Sequence, residues 1–375
     1  RSRWRRLVLL EVTTRAALAG AAVIGLAIVV SRWFSHAPVA LALLAVTACL
    51  AGAQPALAAD APPATSEAAT LVQPGNNAAT FRDVRRGENQ SITFQAPADR
   101  TLIQASGERW RQLRNGPITV WGGWMLVGVF VALAAFYKLR GKIMLEGKPT
   151  GRLIERFNSV ERMAHFVLAG CFVLLALSGL TMLFGKHVLL PLMGHTLFGW
   201  LAWVAKNLHN LTGPLFFVST LFFVALFARD NVWQRVDALW IRKAGGLLSG
   251  EHVPSWRFNF GEKTWFWIGV TILGLIVGVS GLVLDFPGLG QIRQDMQLAH
   301  MVHSVGAILF MSLSLGHIYI GTIGMERAID GMKSGYVDET WALEHHAYWY
   351  ETAKGRKVSK DDDGAHPPAA APNHH

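Results

Sequence analysis

Five histidines of the 375-residue sequence, His165, His209, His300, His303 and His317, stand within or beside long apolar runs. A lone histidine in an apolar helix is usually a packed structural residue, yet imidazole is also a ready ligand for iron, copper and zinc. Spacing separates the five. His303 and His317 are fourteen residues apart, so at 100° per residue both return to one helix face, about 21 Å apart along the axis. His300 lies seventeen residues from His317, about 100° off that face, and reads as an interfacial or packing residue. One helix therefore offers two ligands, one per leaflet. A compact zinc or copper site draws its ligands from a single depth and fits this poorly. Cys49 and Cys171 are the only cysteines, too few for an iron–sulfur cluster or a Cys-rich zinc site.

The elements that must position these side chains are transmembrane helices. Hydrophobic residues make up 51% of the chain and charged residues 16%, against roughly 25% charged in soluble domains, and the charges are crowded into a few segments. Ile118–Tyr137 is free of charge, and further apolar runs follow at about 164–185, 211–228, 265–284 and 299–324. Each is long enough to cross a bilayer. Trp121, Trp124, Trp265 and Trp267 stand at run ends, where interfacial aromatics are expected. The expectation is an all-α membrane protein: a four-helix bundle over 150–325, preceded by one leading helix at 117–140.

The net charge of +10 comes from 35 Lys and Arg against 25 Asp and Glu. Seven cationic residues lie between Lys138 and Arg162, six between Arg229 and Lys263, and six between Arg327 and Lys360. Against these nineteen stand Lys186, Lys206 and Arg293 on the opposite side. The asymmetry puts the first group in the cytoplasm and removes any need to invoke nucleic acid.

That orientation pairs the histidines by depth. His165 opens the second span and His317 lies toward the end of the fifth, both at the inner level. His209 heads the third span and His303 the fifth, both at the outer level. Two bis-imidazole pairs, each drawn from two helices, are what two six-coordinate haems in a helical bundle require. Six-coordinate iron has no open site for oxygen or substrate, so the chemistry favoured is electron transfer. Gly170, Gly179, Gly213, Gly281 and Gly306 are small enough to let flat macrocycles approach the helices.

At the N-terminus, four arginines among the first six residues are followed by apolar runs and then Ala56-Leu57-Ala58. This is the grammar of a secretory signal, so 1–59 reads as a targeting region; an uncleaved anchor is the alternative, and Val46-Thr47-Ala48-Cys49 faintly resembles a lipoprotein signal. Residues 60–116 form a polar exported segment that opens as a linker. Residues 326–375 form a cytoplasmic tail, with an aromatic-rich stretch at 326–350 suited to packing on a partner and a disordered end.

The order of motifs resembles a known family. Glu161-Arg162-Met163-Ala164-His165, Lys206-Asn207-Leu208-His209-Asn210, Arg257-Phe258-Asn259-Phe260-Gly261-Glu262-Lys263, His303, and Gly316-His317-Ile318-Tyr319 are similar to the gamma subunit of membrane-bound, quinone-reducing formate dehydrogenase, a dihaem cytochrome b. The resemblance covers about 110–352. It implies haem iron ligands at His165, His209, His303 and His317, two haem b groups, and a quinone pocket on the cytoplasmic side near Asn259 and Gly261. Phe260 departs from the alanine often found there. The family further implies an iron–sulfur beta subunit fed by a molybdenum or tungsten alpha subunit, a bacterial inner-membrane location, and no formate chemistry on this chain itself. The cytochrome b subunit of a nickel–iron hydrogenase shares the bundle logic, and a haem-free anchor or proton-relay transporter is the alternative of another class.

Overall fold

The computed structural model describes residues 85–86, 105–246 and 251–359. The targeting region 1–59, most of the exported segment and the end of the tail lie outside the described residues. Apart from 288–290, the described residues fall in one compact unit.

Helix α1 (Ala105–Leu113) runs through one π-helical turn, Arg114–Ile118, into α2 (Thr119–Arg140). The polar residues from 105 onward are thus helical and continuous with the leading apolar helix. Pro117 sits inside the π turn, where its missing N–H disrupts the regular ladder. Helix α2 seats on the bundle through glycine: a Cβ on Gly122 would come within 2.4 Å of Ile308, and one on Gly123 within 3.2 Å of Phe184.

Helix α3 (Ser159–Phe227) is 69 residues of continuous helical hydrogen bonding except at Gly194, where φ is 75° and ψ is 174°. Straight, it would be about 100 Å long. Ser178 and His209 nevertheless touch at 2.8 Å, and Gly185 abuts Phe198. The chain therefore folds back at Gly194 and α3 is a hairpin of two limbs, 159–193 and 195–227. Only glycine adopts that backbone without strain. Among the described residues four helices are long and apolar enough to span a membrane; with α3 counted as two limbs they make five crossings, the number expected.

The elements that follow include α4 (Arg235–Arg242), α5 (Phe260–Thr264), a π-helical stretch Trp265–Leu273, α6 (Gly274–Asp285), α7 (Arg293–Tyr319), α8 (Asp330–Ser334), α9 (Glu339–His345) and α10 (Ala347–Ala353). Strands β1 (Leu153–Glu155) and β2 (Tyr336–Asp338) pair antiparallel, Ile154 opposite Val337. The segment after α7 folds back over its own bundle, with Trp341, Ala342, His346 and Tyr348 at 2% exposure or less.

The bundle is built on a repeat. Arg156-Phe157-Asn158-Ser159-Val160-Glu161 caps α3, and Arg257-Phe258-Asn259-Phe260-Gly261-Glu262 caps α5. Each Asn accepts from the backbone N–H of its Glu, while that Glu accepts from the N–H of the Asn, a reciprocal capping box. The two arginines cross over. Arg156 donates to the Arg257 carbonyl at 3.0 Å and to Glu262 at 2.9 Å. Arg257 donates to the Arg156 carbonyl at 2.6 Å and to Glu161 at 2.7 Å. Exchange of equivalent contacts is the pattern of an approximate twofold axis. The repeat recurs deeper as Ser178-Gly179-Leu180 and Ser280-Gly281-Leu282. Ser178 follows Asn158 by twenty residues and Ser280 follows Asn259 by twenty-one; the π-helical stretch Trp265–Leu273 takes up the extra residue.

Candidate functional site

His209 on the second limb of α3 and His303 on α7 face each other with ring centroids 6.0 Å apart. His165 on the first limb and His317 on α7 do the same at 6.3 Å. An imidazole nitrogen binds a transition metal at about 2 Å and lies roughly 1 Å from its ring centre, so two imidazoles trans on one metal have centres about 6 Å apart. Both pairs have this spacing. Between them lies an apolar layer of Leu168, Cys171, Phe216, Val277 and Phe310, in which Cys171 packs as a buried free thiol.

The repeat orients the outer pair. Ser178 gives its hydroxyl hydrogen to the Leu174 carbonyl at 2.7 Å and presents a lone pair to His209 Nδ1 at 2.8 Å; the Leu175 carbonyl also bonds that ring. Ser280 likewise donates to Ile276 at 2.6 Å and faces His303 Nδ1 at 3.2 Å, beside the Val277 carbonyl at 2.9 Å. A carbonyl only accepts, so Nδ1 carries the hydrogen and Nε2 is the nitrogen left to ligate. The next residue in each repeat is a glycine that seats the opposing imidazole closely, since a Cβ on Gly179 or Gly281 would stand 3.3 or 3.2 Å from the ring.

The inner pair is held by rings. His317 stacks on Trp265 at 4.9 Å and 12°. Trp265 reaches it by lying over Gly269, where a Cβ would come within 2.3 Å of the indole. His165 sits against Phe166 and Phe223, and its Nδ1 is buried with no partner among the described residues. At Gly170, Gly213 and Gly316 an added Cβ would meet nothing within 4 Å. Gly306 instead packs on Val277 and Ile276. His300 joins neither pair; its ring meets Trp110 edge-on at 5.5 Å.

A profile of the prokaryotic cytochrome b561 family matches residues 156–335, the stretch containing all four paired histidines and both capping repeats. The chain is 30% identical over 205 residues to the formate dehydrogenase cytochrome b556(fdo) subunit of Escherichia coli strain K12, covering 54% of this chain and 93% of that protein. It is 28% identical over 219 residues to the nitrate-inducible formate dehydrogenase cytochrome b556(Fdn) subunit of the same strain, 56% and 97% of the two chains. With the formate dehydrogenase cytochrome b556 subunit of Haemophilus influenzae it shares 25% over 221 residues, 56% and 87%. The chain belongs to the formate dehydrogenase cytochrome b556 family. It is an integral membrane cytochrome b whose role is electron transfer and whose cofactor is haem b, which removes the haem-free alternative.

Next to the inner pair the cytochrome holds a cavity of about 1160 Å³, lined by His165, His317, Trp265, Asn259, Gly261 and Trp240 among others. Asn259 and Gly261 thus share one cavity with the inner histidines. Both also have local duties. The Asn259 side chain caps α5, and a Cβ on Gly261 would come within 3.0 Å of Trp240. Lys263, from the same motif, is buried against Asp237 at 2.7 Å, with side-chain exposures of 4% and 1%.

Sequence reasoning overlooked the C-terminal histidines as part of this site. His346 is 1% exposed and its Nδ1 donates to the Trp256 carbonyl at 2.7 Å. Its Nε2 stands 3.0 Å from the Arg156 guanidinium. Burial, reinforced by the Arg156 charge, holds its pKa well below that of a free imidazole. His345 is lowered to about 3, by burial first and then by the charges of His346, His252 and Arg156, with Glu262 opposing. The available cue was the run Trp341-Ala342-Leu343-Glu344-His345-His346-Ala347-Tyr348-Trp349-Tyr350, too aromatic for a solvated tail.

Proposed function

We propose that this cytochrome is the membrane subunit of a formate dehydrogenase complex and carries electrons through two haems b to a quinone. An iron–sulfur subunit, fed by a molybdenum or tungsten catalytic subunit, delivers the electrons. His209 and His303 ligate the outer haem, and His165 and His317 the inner one. The quinone head binds in the cavity beside Asn259 and Gly261. The face bearing the nineteen Lys and Arg residues is cytoplasmic, so quinone is reduced at the inner side. The names of the relatives favour formate dehydrogenase over the hydrogenase alternative.

The observation that carries this reading is the occurrence of two histidine pairs at two depths, each at metal-bridging spacing. The inner pair opens into a cavity of about 1160 Å³, larger than the roughly 300–1,000 Å³ of a single small-molecule site. That volume suits a macrocycle and a second ring system together. The cavity lining also includes Phe166 and Ile318, which are 52% and 45% exposed on the apolar surface and offer an isoprenoid ligand a way in from the bilayer.

The test is haem stoichiometry in the purified complex. The intact chain should hold two haems b, and His303→Ala one, with the spectrum of the inner haem unchanged. Two haems surviving in His303→Ala would overturn the pairing. Asn259→Asp keeps a capping side chain while placing a charge in the cavity. It should depress quinone reduction and leave both haems reducible by formate.

A further inference from the structure

The cavity is walled toward the basic face by side chains that neither the paired histidines nor Asn259 account for. Glu146 comes from the loop after α2, His252 from the loop before α5, and Glu344 and His345 from α9; all four line the cavity. Exposure falls along them. The side chain of Glu146 is 72% exposed, that of His252 27% and that of Glu344 12%. His252 Nε2 lies 3.4 Å from Glu146 and 3.6 Å from Glu344, and its ring centre is 5.6 Å from that of His345. The family profile covers 156–335, so of these four residues only His252 lies within it.

We propose that Glu146, His252 and His345 form a proton-delivery chain from the basic face to the cavity, with Glu344 positioning His252. The proposal rests on the reading of this cavity as a quinone site. There the balance is simple: a quinone gains two electrons, supplied by formate oxidation through the partner subunits, and two protons, and becomes a quinol. One O–H bond forms at each carbonyl oxygen. Both protons must come from somewhere that does not drain the membrane interior, and this cluster reaches from solvent to the cavity wall.

Each member has a distinct duty. Glu146, exposed, collects protons. Glu344 is fixed, because its oxygens accept the backbone N–H groups of Gly147 at 2.8 Å and Glu146 at 3.2 Å. Two carboxylates stand beside His252 Nε2, at 3.4 and 3.6 Å, which makes His252 the loading point of the chain. His345 takes a proton on one ring nitrogen and releases one from the other. Its neighbours His346 and Arg156 make it a poor resting place for charge, which favours onward transfer. His346 carries nothing, since both of its ring nitrogens are engaged, by Trp256 and by Arg156. Glu262, facing His345 across the cavity, is committed to Arg156 and the α5 cap.

The experiment uses the whole complex with formate and a short-tailed naphthoquinone, following turnover across pH in water and in deuterium oxide. Haem content and the extent of formate-driven haem reduction are measured in parallel. A quinol-site inhibitor's perturbation of the inner-haem spectrum reports pocket integrity. His252→Ala should lower turnover about tenfold or more above neutral pH and enlarge the solvent isotope effect. Activity should return toward acid pH and with added imidazole, while haem content and the inhibitor perturbation stay as in the intact complex. Glu146→Gln, at an exposed position, should give a smaller loss of the same kind. Unchanged turnover and pH profile in both variants would overturn the chain. So would a loss that imidazole does not rescue together with loss of the inhibitor perturbation, since His252 would then merely shape the pocket. If the unaltered complex reduces no quinone and shows no inhibitor perturbation, the quinone reading itself fails, whatever the variants do.

Discussion

The two outer histidines are held by equivalent repeats but not equally, and the difference makes a measurable prediction. The His209 Nδ1–H points at the Ser178 hydroxyl oxygen at 2.8 Å and also bonds the Leu175 carbonyl. His303 takes its shortest contact, 2.9 Å, from the Val277 carbonyl, with Ser280 further off at 3.2 Å. Ser178→Ala therefore removes the closer of the two serine contacts and leaves its ring N–H the Leu175 carbonyl, whereas Ser280→Ala removes the longer one and leaves the Val277 carbonyl. A neutral hydrogen bond contributes about 1 kcal/mol net, within 0.5 either way. Losing the Ser178 bond should cost close to that, and losing the Ser280 bond less than half as much. An N–H donated to an acceptor makes the opposite nitrogen a stronger electron donor and favours ferric iron. Its loss should raise the midpoint potential. With 59 mV and 1.4 kcal/mol per tenfold for one electron, 1 kcal/mol corresponds to about 40 mV at most.

The assay is a spectroelectrochemical titration of the purified complex, in which the two proposed haems should titrate as separate waves, the inner one serving as internal reference. Ser178→Ala should move only the outer wave, upward by about 20–40 mV, and Ser280→Ala should move it by less than about 20 mV. Transfer of haem to an apo-acceptor protein should speed up about fivefold in the first variant, the factor that 1 kcal/mol allows. An equal or larger shift in Ser280→Ala, or movement of the inner wave in either, would refute the assignment of these serines to the outer site.

Two further predictions concern stability. Lys263→Met leaves Asp237 buried without its counter-ion and should destabilise the detergent-solubilised protein by about 3–5 kcal/mol, read as a lowered thermal midpoint of haem release; Lys263→Met with Asp237→Asn should recover part of that loss. His345 and His346 have folded pKa values below 6.5, so the unfolded segment binds more protons and stability is present above 6.5 and falls as pH drops. Each contributes a slope of about 1.4 kcal/mol per pH unit until its folded value is reached, which for His345 is about 3. Amide exchange in 339–353 should quicken steeply from pH 6.5 to 5 and do so less in His346→Gln; a flat profile would contradict the burial of these rings.

Much of the site was legible because its determinants are local. Helical periodicity put His303 and His317 on one face, and charge asymmetry set which ends of the helices share a level. What escaped was relational. Asn259 reads as a lone polar residue in a motif until Asn158 is laid beside it, and only the crossed contacts of Arg156 and Arg257 reveal two copies of one device. The twenty- and twenty-one-residue spacings to the Ser-Gly pairs hide the repeat from a search at fixed period, because a π-helical residue intervenes. His346 escaped for a similar reason: its burial depends on Arg156 and Trp256, distant in sequence.

The repeat also explains where symmetry ends and function begins. Seven residues after Asn158 stands His165; seven after Asn259 stands Phe266. Fourteen after His303 stands His317; fourteen after His209 stands Phe223. The outer pair is thus made of equivalent residues, while the inner pair takes one histidine from each half and leaves two phenylalanines at the mirrored positions. Those phenylalanines touch each other at 6.4 Å, closing the flank where a second inner pair would otherwise form. A symmetric bundle would split electrons between two equivalent exits. With Phe223 and Phe266 in place, the proposed ligation sends every electron that crosses the outer site toward one inner site. The cavity, with Asn259 rather than Asn158 in its wall, lies beside that site alone.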